Sequence, residues 1–130
     1  MIQTNELMKY GNKKVKIDGY TFDSQLEASR FLELKLLLRA GLIRDLQLQP
    51  SFELIPSFEK NGKKYRRVVY KADFAYFDIG KGKTIIEDTK GFRTKEFIIK
   101  KKLFEYNYPK LEIVEISKEG QQWSSKTKTI

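Results

Sequence analysis

The sequence predicts a mixed α/β fold, on three observations. Two runs rich in aromatic and β-branched residues, 70–78 and 84–91, flank the turn Gly80-Lys81-Gly82-Lys83, which is a hairpin signature. Two stretches, 23–40 and 93–106, place apolar residues at helical spacing. The elements then follow in the order hairpin, helix, three or so strands, helix, strand, which packs helices on the faces of a sheet.

One hundred and thirty residues suit one domain, with residues 1–8 expected as a short leader and 124–130 as a frayed tail. A hydrophobic content of 40%, with 13% aromatics, is enough for a core, while charged residues reach 33%. The net charge of +9 favours a polyanionic partner, most simply nucleic acid, although basic proteins without such a partner are common. The absence of cysteine excludes disulfides and thiolate metal sites, and the absence of histidine excludes imidazole ligands and His acid–base chemistry. No apolar run approaches membrane-spanning length and no signal peptide pattern opens the chain, so the expected location is the cytoplasm, with no membrane partner.

Taken in order, residues 9–16 carry four lysines, Lys13 and Lys14 among them, and read equally as a basic arm toward phosphates or as guards on a sheet edge. Residues 15–22 form a small hairpin around Asp18-Gly19, a pair suited to a type I′ turn. The first helix follows, with Ser24 as N-cap and Glu27 at the third helical position, a capping box. Glu27 also heads the stripe Glu27, Phe31, Leu34, Leu38, which turns it toward the sheet. Residues 43–55 alternate and are interrupted at Pro50, giving an extended segment with a bend. Gln49 could orient a water or a phosphate there, or be a turn residue. Asn61-Gly62 marks a second hairpin, crowded by Lys60, Lys63, Lys64, Arg66 and Arg67, which is either a DNA-facing ridge or an ordinary basic surface.

Gly82-Lys83-Thr84 is not a phosphate-binding loop: Phe77 stands where that motif needs glycine, and a strand follows. The second helix has Ile99, Leu103 and Tyr106 as its expected core stripe. Lys100, Lys101 and Lys102 point about 100° apart, so they cannot all face one groove. Residues 111–116 alternate as a last strand, and Trp123 is expected to pack back on the body.

The chemistry concentrates in residues 70–91. Alternation along a strand puts Asp88 and Lys90 on one face and Glu87 and Thr89 on the other, with Asp73 entering from the neighbouring strand. A carboxylate pair can hold a hard divalent cation, and a lysine beside it can position water and offset charge developing on phosphate. The alternative is an exposed Asp/Lys ion pair of little consequence. Against it, Asp73 lies inside an apolar run, where an unpaired carboxylate is costly.

Asp73 followed fifteen residues later by Asp88-Thr89-Lys90 resembles the PD-(D/E)XK nuclease motif, with Ala72-Asp73 in place of Pro-Asp. The whole pattern is similar to a family of small phage and prophage proteins of that superfamily: a Glu-bearing first helix, a Gln-Pro segment, a Tyr-x-Ala-Asp-Phe strand and a Glu-Asp-x-Lys-Gly strand. All four parts are present in order, over residues 9–116. The resemblance implies a restriction-endonuclease-like fold, with a central mixed sheet flanked by helices, and Mg²⁺- or Mn²⁺-dependent hydrolysis of DNA phosphodiesters in a phage or prophage setting. Asp73 and Asp88 would hold metal, with Glu27 and the carbonyl of Thr89 as further ligands and Lys90 beside the attacking water. Glu87 faces away unless a bulge exchanges it with Asp88.

Duplex or branched DNA would be contacted by Lys13, Lys14, Lys63, Lys64, Arg66, Arg67, Arg93, Lys95, Lys101 and Lys102. The resemblance further implies a structure-selective, Holliday junction resolvase-like homodimer, since small phage members of the superfamily include dimeric junction resolvases. A chain expected to be too small for a separate sequence-reading domain favours that over a site-specific restriction-type enzyme. A non-catalytic basic DNA-binding module on the same fold, an RNA nuclease and an exonuclease are the alternatives.

Overall fold

The computed structural model describes residues 14–89, 93–119 and 122–125, and the chain divides into two compact units, Met1–Leu42 and Ile43–Ile130. In the first unit, β1 (Val15–Ile17) and β2 (Tyr20–Phe22) pair antiparallel. Asp18 and Gly19 between them both have positive φ, 54° and 83°, as the Asp-Gly turn requires. Helix α1 (Gln25–Arg39) starts where Ser24 stays extended and its Oγ accepts the Glu27 N–H at 3.1 Å. It ends in a Schellman turn: Gly41 is left-handed at φ 78°, its N–H bonds to Leu38 O, and the Leu42 N–H reaches Leu37 O. Glu27, Ala28, Phe31 and Leu34 are its buried residues, and Phe31 packs 4.9 Å from the Phe22 ring. The expected stripe is one residue too long, because burial stops at Leu34 and Leu38 is 42% exposed.

The second unit holds a five-stranded sheet in the order β11 (Gln122–Ser125), β10 (Ile113–Glu119), β9 (Lys83–Thr89), β8 (Phe74–Asp78), β3 (Ile43–Leu48). Within it β9 and β10 run parallel and the other neighbours antiparallel, so the sheet is mixed. A parallel pair needs a crossover, and α2 (Lys95–Asn107) supplies it, capped by Thr94, whose Oγ1 accepts the Phe97 N–H at 3.0 Å. β4 (Ser51–Ile55) and β7 (Val68–Lys71) form a separate two-stranded ladder. β5 (Phe58–Lys60) and β6 (Lys63–Tyr65) form a hairpin around Asn61 and Gly62, both at positive φ. The mixed α/β class stands. No helix among the described residues is long and apolar enough to cross a membrane.

The core of this unit gathers Ala75, Ile86 and Ile113 from the sheet with Leu54, Tyr70, Ala72, Phe97 and Phe104. Alternation places Ile86 and Asp88 of β9 on that face, with their register partners Ile113 and Glu115 of β10.

The structure corrects the expected stripe of α2. Phe97 and Phe104 are buried, Leu103 is half-buried, and Ile99 and Tyr106 are 59% and 82% exposed. The buried face carries Lys101 midway between the two phenylalanines, and a charge at that position hid the stripe from an apolar pattern. A further strand, β11, pairs Ser124 and Ser125 with Ser117 and Ile116, where a frayed tail was expected to begin. Residues 126–130 and the leader 1–8 lie outside the described residues.

Candidate active site

Residues 70–78, read from sequence as one run, are two strands broken at Ala72-Asp73. Opposite that break lies a second one, Gln49-Pro50, between β3 and β4. Ala72 N donates to Pro50 O at 3.0 Å and Gln49 N to Asp73 O at 2.9 Å, so the backbone stays paired through the bend. Gln49 adopts φ 53° to do this. A non-glycine residue in the left-handed region is uncommon, and such positions cluster at functional sites. Proline supplies no N–H at the bend, which explains why the regular ladder stops there.

The break turns Asp73 toward β9. Its N–H donates to Glu87 O at 3.0 Å. Its Oδ2 accepts both the backbone N–H and the hydroxyl of Thr89, each at 2.7 Å. Asp73 is therefore anchored to the two residues that flank Asp88. Asp88 is buried, and the Tyr70 hydroxyl donates to its Oδ2. Burial, and then the adjacent Asp88 carboxylate, push the Tyr70 phenol far above its ordinary range, with Asp73 and Glu115 adding to the shift. The hydroxyl thus remains a neutral donor to Asp88 under the influence of three carboxylates.

Glu115 is the third. It is the register partner of Asp88 and is also buried. Lys101 Nζ reaches its Oε2 at 3.0 Å and Arg93 Nε its Oε1 at 3.1 Å. Glu87 takes the opposite face of β9, paired in register with Phe74, and accepts a hydrogen bond from the Tyr76 hydroxyl. The described part of β9 carries no bulge against β8 or β10. Among the described residues, no group of three or more acidic side chains is spaced to share one metal ion.

Of the residues singled out in the sequence, Asp73, Asp88 and Thr89 come together at this point, with Gln49 bonded to Asp73 through its backbone. Lys90 lies outside the described residues, as does Lys13. Glu27 is buried in the first turn of α1, within the other unit. Lys63, Lys64, Arg66 and Arg67 are exposed on and after the β5–β6 hairpin, and Lys95 and Lys102 are exposed on α2. Lys14 is exposed, its Nζ 3.4 Å from Asp23 Oδ1. Arg93 and Lys101, expected to face phosphate, are both ion-paired with Glu115, and the Arg93 side chain is half exposed.

Tyr70 and Glu115 went unrecognised in the sequence. Tyr70 opens the Tyr-x-Ala-Asp-Phe segment, and Glu115 is in phase with Leu111 and Ile113 on the last strand, a parity that marks it as inward.

Comparison with curated proteins and with solved structures finds no match. A family profile described as a protein of unknown function matches residues 7–124, from the N-terminal lysine-rich segment through most of β11, and the chain belongs to that family, DUF1064.

Proposed function

We propose that the protein is a metal-dependent deoxyribonuclease of the PD-(D/E)XK type on a restriction-endonuclease-like fold. The observation that carries the reading is the anchoring of Asp73 to both neighbours of Asp88, which gathers two carboxylates at one strand break. The mixed sheet with its helical crossover and the +9 charge support it further. The donor set fits Mg²⁺ or Mn²⁺: it offers oxygen anions only, and Mg²⁺ is commonly held by one or two carboxylates, with water and phosphate completing its shell. A bound cation would polarise the phosphoryl oxygen and lower the pKa of water.

Asp73 and Asp88 hold that cation. Tyr70 fixes the Asp88 carboxylate in one orientation as a neutral hydrogen-bond donor. Thr89 does the same for Asp73, and its carbonyl is a further candidate ligand. Lys90, assigned from sequence alone, orients the attacking water and stabilises charge on the phosphate. Glu27 is a candidate for the reaction by the sequence resemblance alone. The substrate is branched or duplex DNA, cut structure-selectively by a homodimer, as in a phage junction resolvase.

One observation favours a second reading, a non-catalytic basic DNA-binding module: both carboxylates already receive donors from the protein, as structural acids do. Incubation with branched, duplex and single-stranded DNA, each in Mg²⁺, Mn²⁺ or chelator, separates the two. The nuclease reading expects cleavage in metal and none in chelator. Binding without cleavage in every metal supports the module.

A further inference from the structure

Among the described residues the β5–β6 hairpin pairs with no other strand, and every residue from Phe58 to Arg67 is exposed. Its register is Phe58 opposite Tyr65, Glu59 opposite Lys64 and Lys60 opposite Lys63. Side chains alternate faces. One face therefore presents Phe58, Tyr65, Lys60 and Lys63 together, and the hairpin's one acid, Glu59, lies on the other with Lys64.

On the aromatic face the two rings stack at 4.7 Å with planes 13° apart, and Lys63 Nζ sits 5.1 Å from the Tyr65 centroid. Phe58 remains 47% exposed and Tyr65 39%. A cross-strand aromatic pair is expected to staple an isolated hairpin. A staple alone does not call for two lysines on the same face, nor for Arg66 and Arg67 directly after it.

We infer that this face is a stacking platform for the unpaired bases of single-stranded nucleic acid, with Lys60, Lys63, Arg66 and Arg67 following the phosphates. Every base offers a π face to an aromatic ring, so such a platform is sequence-tolerant, and cations beside it supply the salt-dependent part of affinity. Stacked duplex bases have no open face to give, so the aromatic pair discriminates strand state while the cations do not. The inference deepens the nuclease reading by naming what the substrate exposes at its branch point, and rests on that reading only for the polymer being DNA.

The test is equilibrium binding of fluorescent oligo(dT), oligo(rU) and a duplex of equal length to the full chain in chelator, where cleavage cannot occur. Phe58→Leu with Tyr65→Leu keeps apolar contact across the hairpin and removes both π faces. It is expected to weaken oligo(dT) binding at least tenfold while changing duplex affinity less than twofold, at an unchanged melting temperature. Tyr65→Trp keeps the platform and is expected to bind oligo(dT) at least as tightly as the native protein, with stronger quenching of 2-aminopurine in the strand. Tighter binding of oligo(rU) than of oligo(dT) would keep the platform but assign it to RNA. Wild-type single-strand affinity in the double Leu variant, or equal losses on single strand and duplex, overturns the inference. Because binding is read without metal, a protein that stacks oligonucleotides but never cuts them separates failure of the nuclease reading from failure of this one.

Discussion

At the end of β9, three carboxylates are buried or half-buried and each is met by the protein: Asp73 by Thr89, Asp88 by Tyr70, Glu115 by Lys101 and Arg93. At the β5–β6 hairpin of the same unit, Lys60, Lys63, Lys64, Arg66 and Arg67 all stand in solvent. Burying an acid costs free energy unless it is hydrogen-bonded or paired, whereas an exposed lysine costs almost nothing. The two regions therefore differ in how their charges are held. On the proposed function, the acidic centre is held in the fixed geometry that chemistry requires, and the hairpin's cations supply the long-range attraction beside its aromatic pair. Arg93 and Lys101 differ from the hairpin cations in being ion-paired, both with Glu115 of the acidic centre.

If that division is right, affinity and chemistry can be damaged separately. The largest effect on affinity comes from neutralising Lys63, Lys64, Arg66 and Arg67 together to glutamine. DNA binding near 0.1 M salt should weaken on the order of 100-fold, and the slope of log affinity against log salt should flatten by about 0.9 for each phosphate the protein no longer neutralises. Salt titrations check both. The parallel variant Lys95→Gln with Lys102→Gln on α2 should flatten the slope less. The reverse ranking would move the interface to the helix.

On the acidic side, Glu27→Gln keeps an acceptor for the helix end, so the melting temperature should barely move while cleavage falls at least tenfold, about 1.4 kcal/mol of barrier. A lower melting temperature at the native cleavage rate would make Glu27 a capping residue only. Tyr70→Phe sharpens the comparison from within the centre. It removes a buried donor from Asp88, and thermal denaturation should show a loss of about 1–3 kcal/mol. Cleavage should fall several-fold with KM nearly unchanged, because Tyr70 orients Asp88 without touching DNA.

The smallest effect is in alkaline solution. The phenol is raised in the folded protein, so its contribution is fully present below the unfolded value near 10 and is lost as pH climbs above it. Wild-type melting temperature should therefore drop more steeply above about pH 10 than that of Tyr70→Phe.

Much of the local structure was legible because its causes are local. Asp18-Gly19 and Asn61-Gly62 carry their turn geometry in two residues, and Ser24 carries its cap in one hydroxyl. Gly41 ends α1 because a left-handed residue is needed there. What escaped was non-local. The break at Ala72-Asp73 depends on Gln49-Pro50 across the ladder, which no pattern within 70–78 records. The stripe of α2 was misassigned because Lys101 occupies a core-facing position, tolerable only with Glu115 fourteen residues away. Glu115 shares the inward parity of Leu111 and Ile113, but its charge argues for solvent until its two cations, from α2 and the segment before it, are in place. The pairing of β10 with β11 was hidden in a polar, basic segment.

The most direct test of the central claim is the cleavage rate of Asp73→Asn and Asp88→Asn in Mg²⁺, measured beside their DNA affinity in chelator. Each change removes a charged oxygen ligand and nearly preserves shape. Cleavage should fall by at least three orders of magnitude in both variants, about 4 kcal/mol of barrier, while affinity stays the same or tightens, because a carboxylate without metal repels phosphate. Cleavage by both variants at the native rate, with both folded, would contradict the assignment of Asp73 and Asp88 as the metal-holding pair.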